Sequence, residues 1–227
     1  MAAVKSVNRR RYDLIVFDWD GTIMDSTGLI AECIQLAARD RGLPIPSTYA
    51  AKSIIGLGIL DSTLRLFPEL DGGAQTAFAL AYRQHFVSRD HEAPLYGGIR
   101  ELLVAIDRPQ RFLAVATGKP RAGLERAFAH TGLKSTFHFS RCGDEGLPKP
   151  HPDMLRKLME FTAVAPERTL MIGDTIHDLD LAANAGVAAV AVTYGAHPAQ
   201  LLSTRQPVVG APGLQAAFQS ADRSGHE

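Results

Sequence analysis

The chain has 227 residues, of which 46% are hydrophobic and 21% are charged, and these values are typical of a globular protein with a full core. Its 24 Lys and Arg balance its 24 Asp and Glu, so no overall charge attracts nucleic acid or an anionic membrane. No apolar run approaches the roughly 20 residues of a membrane span. The two cysteines are isolated and lack metal-type spacing, which suits a reducing compartment. We therefore expect a cytoplasmic protein, and the charge balance and the lack of a long apolar run predict no nucleic-acid or membrane partner.

The first predicted strand, residues 13–17, ends in two aspartates. Its unbroken apolar run is typical of a parallel strand that is buried on both faces. Asp18 and Asp20 follow at the strand end, and Gly21 allows the backbone to turn closely past whatever they hold. Because α/β sheets bind ligands at the carboxyl ends of their strands, both carboxylates are candidates to reach one reacting group. Considered alone, the segment could also be a polar turn without function.

Only helices are predicted between this strand and residue 94. Asp25 or Ser26 is expected to cap the first helix, which ends near Gly42. Further helices are predicted near 49–55, 60–67 and 74–87. The sequence therefore predicts an inserted helical cap domain at residues 25–94.

The rest of the chain alternates between strands and helices. Strands are predicted at 112–116, 137–142, 169–172 and 187–192, and helices at 99–106, 122–131, 154–161, 178–185 and, weakly, 213–218. Such alternation predicts right-handed crossovers and an α/β fold, with a Rossmann-like parallel sheet covered by helices on both faces. Residues 1–24 and 95–227 would form this core domain.

Polar side chains follow several of the predicted strands and should meet at one edge of the sheet. They are Asp18, Asp20, Thr117, Lys149, Asp174 and Asp178. Carboxylates clustered in this way repel one another, so we expect a hard cation with oxygen ligands among them, and Mg²⁺ suits such a site best. Lys149 and the Thr117 hydroxyl could offset and orient a phosphoryl group. An ionised aspartate can attack phosphorus without an activating base, and a second acid can protonate the leaving oxygen.

Four segments resemble the motifs of the haloacid dehalogenase-like hydrolases, in order and over roughly residues 12–195. They are Asp18-Trp19-Asp20-Gly21-Thr22, Thr117-Gly118-Lys119, Lys149-Pro150 and Gly173-Asp174-Thr175-Ile176-His177-Asp178. Within that superfamily, the helical insertion resembles the small helical cap of phosphoglycolate phosphatase-like enzymes. Dehalogenases have no aspartate at the position of Asp20, so its presence favours phosphate chemistry.

The resemblance implies roles for individual residues. Asp18 would be the nucleophile and a Mg²⁺ ligand. Asp20 would be the general acid and base, and its backbone carbonyl would also contact the metal. Thr117, the Gly118 backbone N–H and Lys149 would bind the phosphoryl group, although this motif commonly has Asn where Gly118 stands. Asp174 would be a metal ligand, with Asp178 either a further ligand or the partner that orients it.

The sequence also gives expectations for several other residues. His177 is expected to lie at the start of a helix and to face solvent. Asp153 is expected to cap the helix predicted at 154–161, and the side chain of Trp19 is expected to pack into the core. The segment 56–58 is either a break between helices or a cap loop that contacts the substrate. Arg65, Arg83 and Arg89 are candidates to meet a substrate carboxylate from the cap.

The function predicted from these residues is a Mg²⁺-dependent phosphomonoesterase that acts on a small phosphorylated metabolite, such as phosphoglycolate or a sugar phosphate, through an aspartyl phosphate. A sugar-phosphate mutase of the same superfamily is one alternative. Another, from a different class, is a non-catalytic phospho-acceptor or phosphate-sensing module, which would need neither Asp20 nor a long cap. The core motifs are expected to bind only the phosphoryl group, so substrate preference should lie in the cap. The oligomeric state is left open.

Overall fold

The computed structural model describes residues 12–205 and 208–209, which form an α/β fold around one parallel sheet. Its strand order is β3-β2-β1-β4-β5-β6. The strands are β1 (Leu14–Phe17), β2 (Phe112–Ala116), β3 (Phe139–Arg141), β4 (Thr169–Gly173), β5 (Ala188–Val192) and the short β6 (Val208–Val209). The predicted fold class and its five predicted strands are confirmed, whereas β6 was not predicted.

Nine α-helices lie in the described part of the chain. They are α1 (Thr27–Asp40), α2 (Thr48–Lys52), α3 (Ile59–Leu66), α4 (Gly72–Arg89), α5 (Ile99–Ile106), α6 (Arg121–Thr131), α7 (Asp153–Thr162), α8 (Ile176–Ala185) and α9 (Ala199–Leu202). No strand occurs within residues 30–90, as predicted. The helix predicted at 213–218 lies outside the described residues, and none of the described helices has the length and apolarity to cross a membrane.

Strand β1 lies at the centre of the sheet, and its side chains are buried on both faces. It pairs in parallel with β2 on one side and β4 on the other. Ile15, Phe17 and Trp19 pack into one apolar layer, and Leu14 and Val16 pack into the layer on the opposite face. The indole of Trp19 packs edge-on against the ring of Phe128, with 5.2 Å between the ring centroids. Trp19 is fully buried, so its predicted place in the core is confirmed. Asp18 therefore emerges between two neighbouring strand ends.

The inserted helices have an apolar core of their own. It includes Ile34, Ile54, Phe67, Phe78 and Phe86, which come from the helices and loops between β1 and α5. Where the chain enters and leaves this region, the N–H of Asp25 donates to the carbonyl of Pro94 at 2.8 Å, and Met24 forms a bridge with Leu95. A separate apolar core, entered and left by the chain at neighbouring points, supports the proposal that residues 25–94 are a cap domain.

Two helix caps differ from the sequence-based expectation. Ser26 stands at the N-cap position of α1 but makes no capping hydrogen bond, because its hydroxyl donates to Asp20 instead. Asp153 is the first residue of α7, and Pro152 occupies the N-cap position without a side-chain bond. The prediction that Asp153 caps this helix was therefore wrong.

Candidate active site

Three buried carboxylates meet where β1 and β4 end. Oxygen atoms of Asp18, Asp174 and Asp178 all lie within 4.8 Å of one another. The backbone holds this arrangement, since the N–H of Asp18 donates to the carbonyl of Ile172 at 2.8 Å. Gly21 has a positive φ of 90°, and a Cβ atom there would overlap the Asp174 carboxylate. The turn after β1 thus requires glycine for the close approach that the sequence predicted.

Lys149 ties two of these carboxylates together. Its ammonium donates to Asp18 Oδ1 at 2.7 Å and to Asp178 Oδ1 at 2.6 Å, and its side chain is fully buried. Burial opposes the charge of the lysine, but the two carboxylates outweigh it and hold the pKa of Lys149 above its usual value. A fixed cation therefore lies beside Asp18, where a phosphoryl group would need one.

The net negative charge of the site favours binding of a divalent cation. When all are ionised, three carboxylates and one ammonium carry a formal charge of minus two in a buried space. Burial raises the pKa of Asp18 to about 7 and that of Asp174 well above its usual range. Among the described residues, Asp18 Oδ2 has no hydrogen-bond partner. A hard cation with oxygen ligands fits this donor set, and Mg²⁺ is such a cation.

Neighbouring groups hold the other two carboxylates in place. Asp174 accepts from the Thr22 hydroxyl at 2.9 Å and from the Ala196 N–H at 2.7 Å. Asp178 accepts from the hydroxyl and N–H of Thr175, the N-cap residue of α8, at 2.7 and 3.0 Å. Although burial opposes it, Lys149 and these bonds hold the pKa of Asp178 below its usual value. Both roles implied for Asp178, ligand or orienting partner, are compatible with this placement.

The carboxylate of Asp20 has two partners outside the carboxylate cluster. Its Oδ1 accepts from the Ser26 hydroxyl at 2.7 Å, and its Oδ2 lies 3.0 Å from the ammonium of Lys119. The metal contact expected of Asp20 runs through its backbone carbonyl and stays a prediction. Sequence reasoning did not single out Ser26 or Lys119, although Lys119 stands within the second motif and Ser26 was expected to cap a helix.

Thr117 and Gly118 follow β2 at the same edge of the sheet. Thr117 is buried, and its hydroxyl accepts from the N–H of Lys119 at 3.1 Å. A Cβ atom on Gly118 would lie 2.5 Å from the carbonyl oxygen of Gly56 and 2.8 Å from that of Leu57. The inserted loop 56–58 thus occupies the space that a side chain at Gly118 would need. Of the two interpretations of this loop, its position supports a role at the site.

We expect Gly118→Ala to lower kcat/KM by roughly 10- to 100-fold, because the added methyl group must push the loop away from the second motif. Steady-state kinetics with a phosphate ester will measure this effect. Gly97→Ala is the matched control, since a Cβ atom there meets nothing within 4 Å. Equal kcat/KM for both variants and the wild type would show that closure of this loop does not matter for turnover.

Two histidines of the core contact the inserted helices. His177 is buried, so the prediction that it faces solvent was wrong. Its Nε2 lies 3.3 Å from the carbonyl oxygen of Ser53, just after α2. His197 Nε2 reaches the same oxygen at 3.1 Å, and its Nδ1 accepts from the N–H of Ile176. Burial lowers the pKa of His177 to about 4 and also lowers that of His197, so both are neutral and can donate to Ser53.

The three candidate arginines of the insertion differ in position. Arg89 forms ion pairs with Glu32 at 3.0 Å and with Glu92 at 3.1 Å. Arg83 lies exposed on α4. Arg65 lines a cleft of about 610 Å³ between α3 and the loop that carries Lys149. Arg65 therefore lines a cleft together with a candidate site residue, Lys149.

Comparisons with known proteins agree with this geometry. The family model of the haloacid dehalogenase-like hydrolases matches residues 15–192. A probable phosphatase named IndB from Dickeya dadantii (strain 3937) is 32% identical over 202 residues, which cover 86% of this chain and 87% of that protein. A phosphoglycolate phosphatase from Vibrio vulnificus (strain YJ016) is 28% identical over 211 residues, which cover 88% and 92%.

A solved structure has the same fold over nearly its whole length. The crystal structure of a predicted phosphoglycolate phosphatase from Haemophilus somnus 129pt superposes with a TM-score of 0.81 at 25% identity, and the match covers 92% of this chain and 97% of that one. Together these matches identify the protein as an enzyme, a hydrolase similar to phosphoglycolate phosphatases. Because the family model matches residues 15–192, which include the carboxyl ends of strands β1 to β5, the chain belongs to the haloacid dehalogenase-like hydrolases.

Proposed function

We propose that the protein is a Mg²⁺-dependent phosphomonoesterase that acts on a small phosphorylated metabolite through an aspartyl phosphate on Asp18. The placement of Asp18 carries this proposal. One of its oxygens is bound to Lys149, the other has no partner among the described residues, and Asp20 is held nearby on the side of the cap. A nucleophile, a fixed cation and a second acid are the groups that phosphoryl transfer to an aspartate needs.

The residues can perform both halves of the reaction. In the first half, the Asp18 carboxylate attacks phosphorus, the bond between phosphorus and the ester oxygen breaks, and Asp20 gives its proton to the departing alcohol. In the second half, Asp20 takes a proton from water as the water oxygen attacks phosphorus, and inorganic phosphate leaves while Asp18 is restored. The Thr117 hydroxyl, the Gly118 N–H and Lys149 orient the phosphoryl oxygens throughout.

Asp18, Asp174 and Asp178, with the backbone carbonyl of Asp20, would hold the metal ion. When bound, Mg²⁺ supplies positive charge that offsets the negative charge of the phosphoryl group and the carboxylates. The buried cluster, and the Asp18 oxygen that has no hydrogen-bond partner in the described part of the chain, support this assignment.

Turnover of p-nitrophenyl phosphate with Mg²⁺ tests the proposal at once. A phosphatase releases nitrophenol over many cycles, whereas a non-catalytic phospho-acceptor module would release at most one equivalent per protein. The second outcome would contradict the enzymatic proposal, since Asp20 would then have no proton-transfer role.

We expect Asp20→Asn to slow turnover by about 10²- to 10⁴-fold, because the amide cannot give a proton to the leaving alcohol or take one from water. The loss should be smallest for p-nitrophenyl phosphate, whose good leaving group needs little protonation. Comparing kcat for this ester and an alkyl phosphate will measure the difference. An equal loss on both esters would argue that Asp20 acts on something other than the leaving oxygen.

Small phosphate esters are the proposed substrates because the cap approaches the strand ends closely. The loop 56–58 lies against Gly118, and Ser53 contacts both core histidines. Closure of this kind excludes water and limits the size of the leaving group. The cap loop and Arg65 are positioned to contribute to the choice among esters.

A screen of a few dozen phosphorylated compounds will measure this preference. We expect phosphoglycolate or short sugar phosphates to exceed phosphopeptides and nucleic acids in kcat/KM. If a phosphopeptide were preferred by about tenfold or more, the cap would have to open as a docking surface instead of closing over a small ester.

We also propose a cytoplasmic location. Cys33 and Cys142 are both free and buried, which suits a reducing compartment. Burial raises the pKa of Cys33 to about 11 and that of Cys142 to about 12, so neither is a reactive thiolate.

A further inference from the structure

We propose that Lys119 binds an anionic substituent on the leaving alcohol of the substrate, and that this substituent replaces Asp20 as the partner of the lysine during the reaction. The proposal rests on the phosphatase function proposed above and narrows its substrates to phosphate esters that carry a second negative charge. It assigns to a core residue part of the selectivity that the sequence had placed in the cap alone.

Lys119 is a buried cation with an incomplete set of partners. Only 6% of its side chain is exposed, and its ammonium lies 3.0 Å from Asp20 Oδ2. On another side the ammonium approaches the ring of Phe86 at 4.5 Å. An aromatic face attracts a cation but does not neutralise it. The charge of Lys119 is therefore balanced within the described residues by one carboxylate, which is itself proposed to move protons.

The contrast with Lys149 shows why Lys119 is free to exchange partners. Lys149 binds two carboxylates at 2.6 and 2.7 Å and remains paired when either one is engaged elsewhere. Lys119 has a single carboxylate partner. If Asp20 turns away, a buried ammonium is left without an anion, and such a state is costly unless another anion arrives.

Asp20 has to turn away for the reaction to proceed. Both of its carboxyl oxygens are engaged in the structure, Oδ1 by the Ser26 hydroxyl and Oδ2 by Lys119. A group that transfers a proton to an ester oxygen must come within hydrogen-bond reach of that oxygen. The contact with Lys119 is the one that an anionic substrate can replace, because a second carboxylate offers the ammonium an equivalent acceptor.

The position of Lys119 matches that of the leaving group. The lysine follows Thr117 and Gly118, which are proposed to hold the phosphoryl group, and its ammonium contacts a ring of the cap helix α4. Since Asp20 must reach the ester oxygen and its Oδ2 now lies 3.0 Å from Lys119, the ammonium stands beside the leaving-group side of the site. A carboxylate on the carbon next to the ester-bearing carbon is the anion that lies closest to the ester oxygen in such a substrate.

The experiment compares two esters that differ only in that charge. Phosphoglycolate carries a carboxylate where ethyl phosphate carries a methyl group. We would measure kcat and KM for both esters with saturating Mg²⁺ in the wild type, Lys119→Met, Lys119→Arg and Lys134→Met. Lys134 is the matched control because it also belongs to the core domain but its side chain is 72% exposed.

We expect the wild type to favour phosphoglycolate over ethyl phosphate by roughly 10- to 100-fold in kcat/KM, the range of one charge-assisted hydrogen bond. Lys119→Met should bring this ratio close to one, mainly through a higher KM for phosphoglycolate. Lys119→Arg should keep part of the preference, and Lys134→Met should keep all of it.

Two results would overturn the inference. One is a wild type that turns over both esters equally well, a result that needs no variant. The other is a Lys119→Met variant that loses the same factor on both esters, because the lysine would then only hold Asp20. If Lys119→Met does not fold, Lys119→Gln repeats the comparison with an uncharged polar side chain. A wild type that hydrolyses neither these esters nor p-nitrophenyl phosphate would instead refute the proposed phosphatase function.

Discussion

Asp18→Asn is expected to lower turnover of every phosphate ester by about 10⁴-fold or more while the fold stays intact. The amide nitrogen and oxygen are poor nucleophiles, and the change also removes one negative charge from the proposed metal site. The loss should fall on kcat and should not depend on the leaving group, because formation of the bond to phosphorus itself is prevented. Burst kinetics with p-nitrophenyl phosphate should also lose any rapid first turnover.

Thermal unfolding serves as the control for this variant. Burial raises the pKa of Asp18, so the ionised carboxylate is unfavourable in the folded protein without a metal ion. An amide of the same shape removes that cost, and Lys149 keeps Asp178 as a partner. The melting temperature without metal should therefore stay the same or rise. Near-normal activity in a folded Asp18→Asn protein would end the assignment of this residue as nucleophile.

Removal of divalent cations by EDTA should abolish activity, and Mg²⁺ should restore it. Without a cation, the negative charge of three buried carboxylates is offset by one lysine, which binds only two of them, and the carboxylates would also repel the phosphoryl group. We expect a single Mg²⁺ per chain in a calorimetric titration, and we expect Asp174→Asn to weaken its binding. The calorimetric signal is independent of turnover, so it separates loss of metal from loss of catalysis.

Asp107→Asn is a suitable control for the metal experiments because this aspartate is exposed and follows α5. It should bind Mg²⁺ like the wild type. Activity that survives EDTA at full strength, or an Asp174→Asn variant with unchanged Mg²⁺ affinity, would contradict the proposed ligand set.

Local patterns in the sequence were sufficient to predict the sheet and the helical insertion. The apolar run of β1 and the alternation from β2 to β5 depend on neighbouring residues, so periodicity alone reveals them. The clustering of Asp18 and Asp174 also followed from topology, because parallel strands place their ends at one edge. Strand β6, with two residues, is too short for a periodic signal.

Contacts between the insertion and the core could not be predicted in the same way. His177 has the sequence context of an exposed helix start, but it is buried, with contacts to Ser53 just after α2 and to the ring of His197. Ser26 has the pattern of a helix cap, but its hydroxyl donates a hydrogen bond to a carboxylate six residues earlier instead. The partner of Lys119 likewise depends on how the turn after β1 is folded. These residues contact groups that are distant in sequence or depend on a turn, and no local pattern encodes such pairs.

The absence of a side chain at Gly118 has a consequence for attempts to exchange caps between enzymes of this family. The carbonyls of Gly56 and Leu57 fill the space beside Gly118, so the cap and core of this protein are matched in shape at that point. A core with asparagine at this position would collide with the present loop, and a cap built for such a core would leave a gap here. A functional chimera would therefore have to transfer loop 56–58 and residue 118 together as one unit.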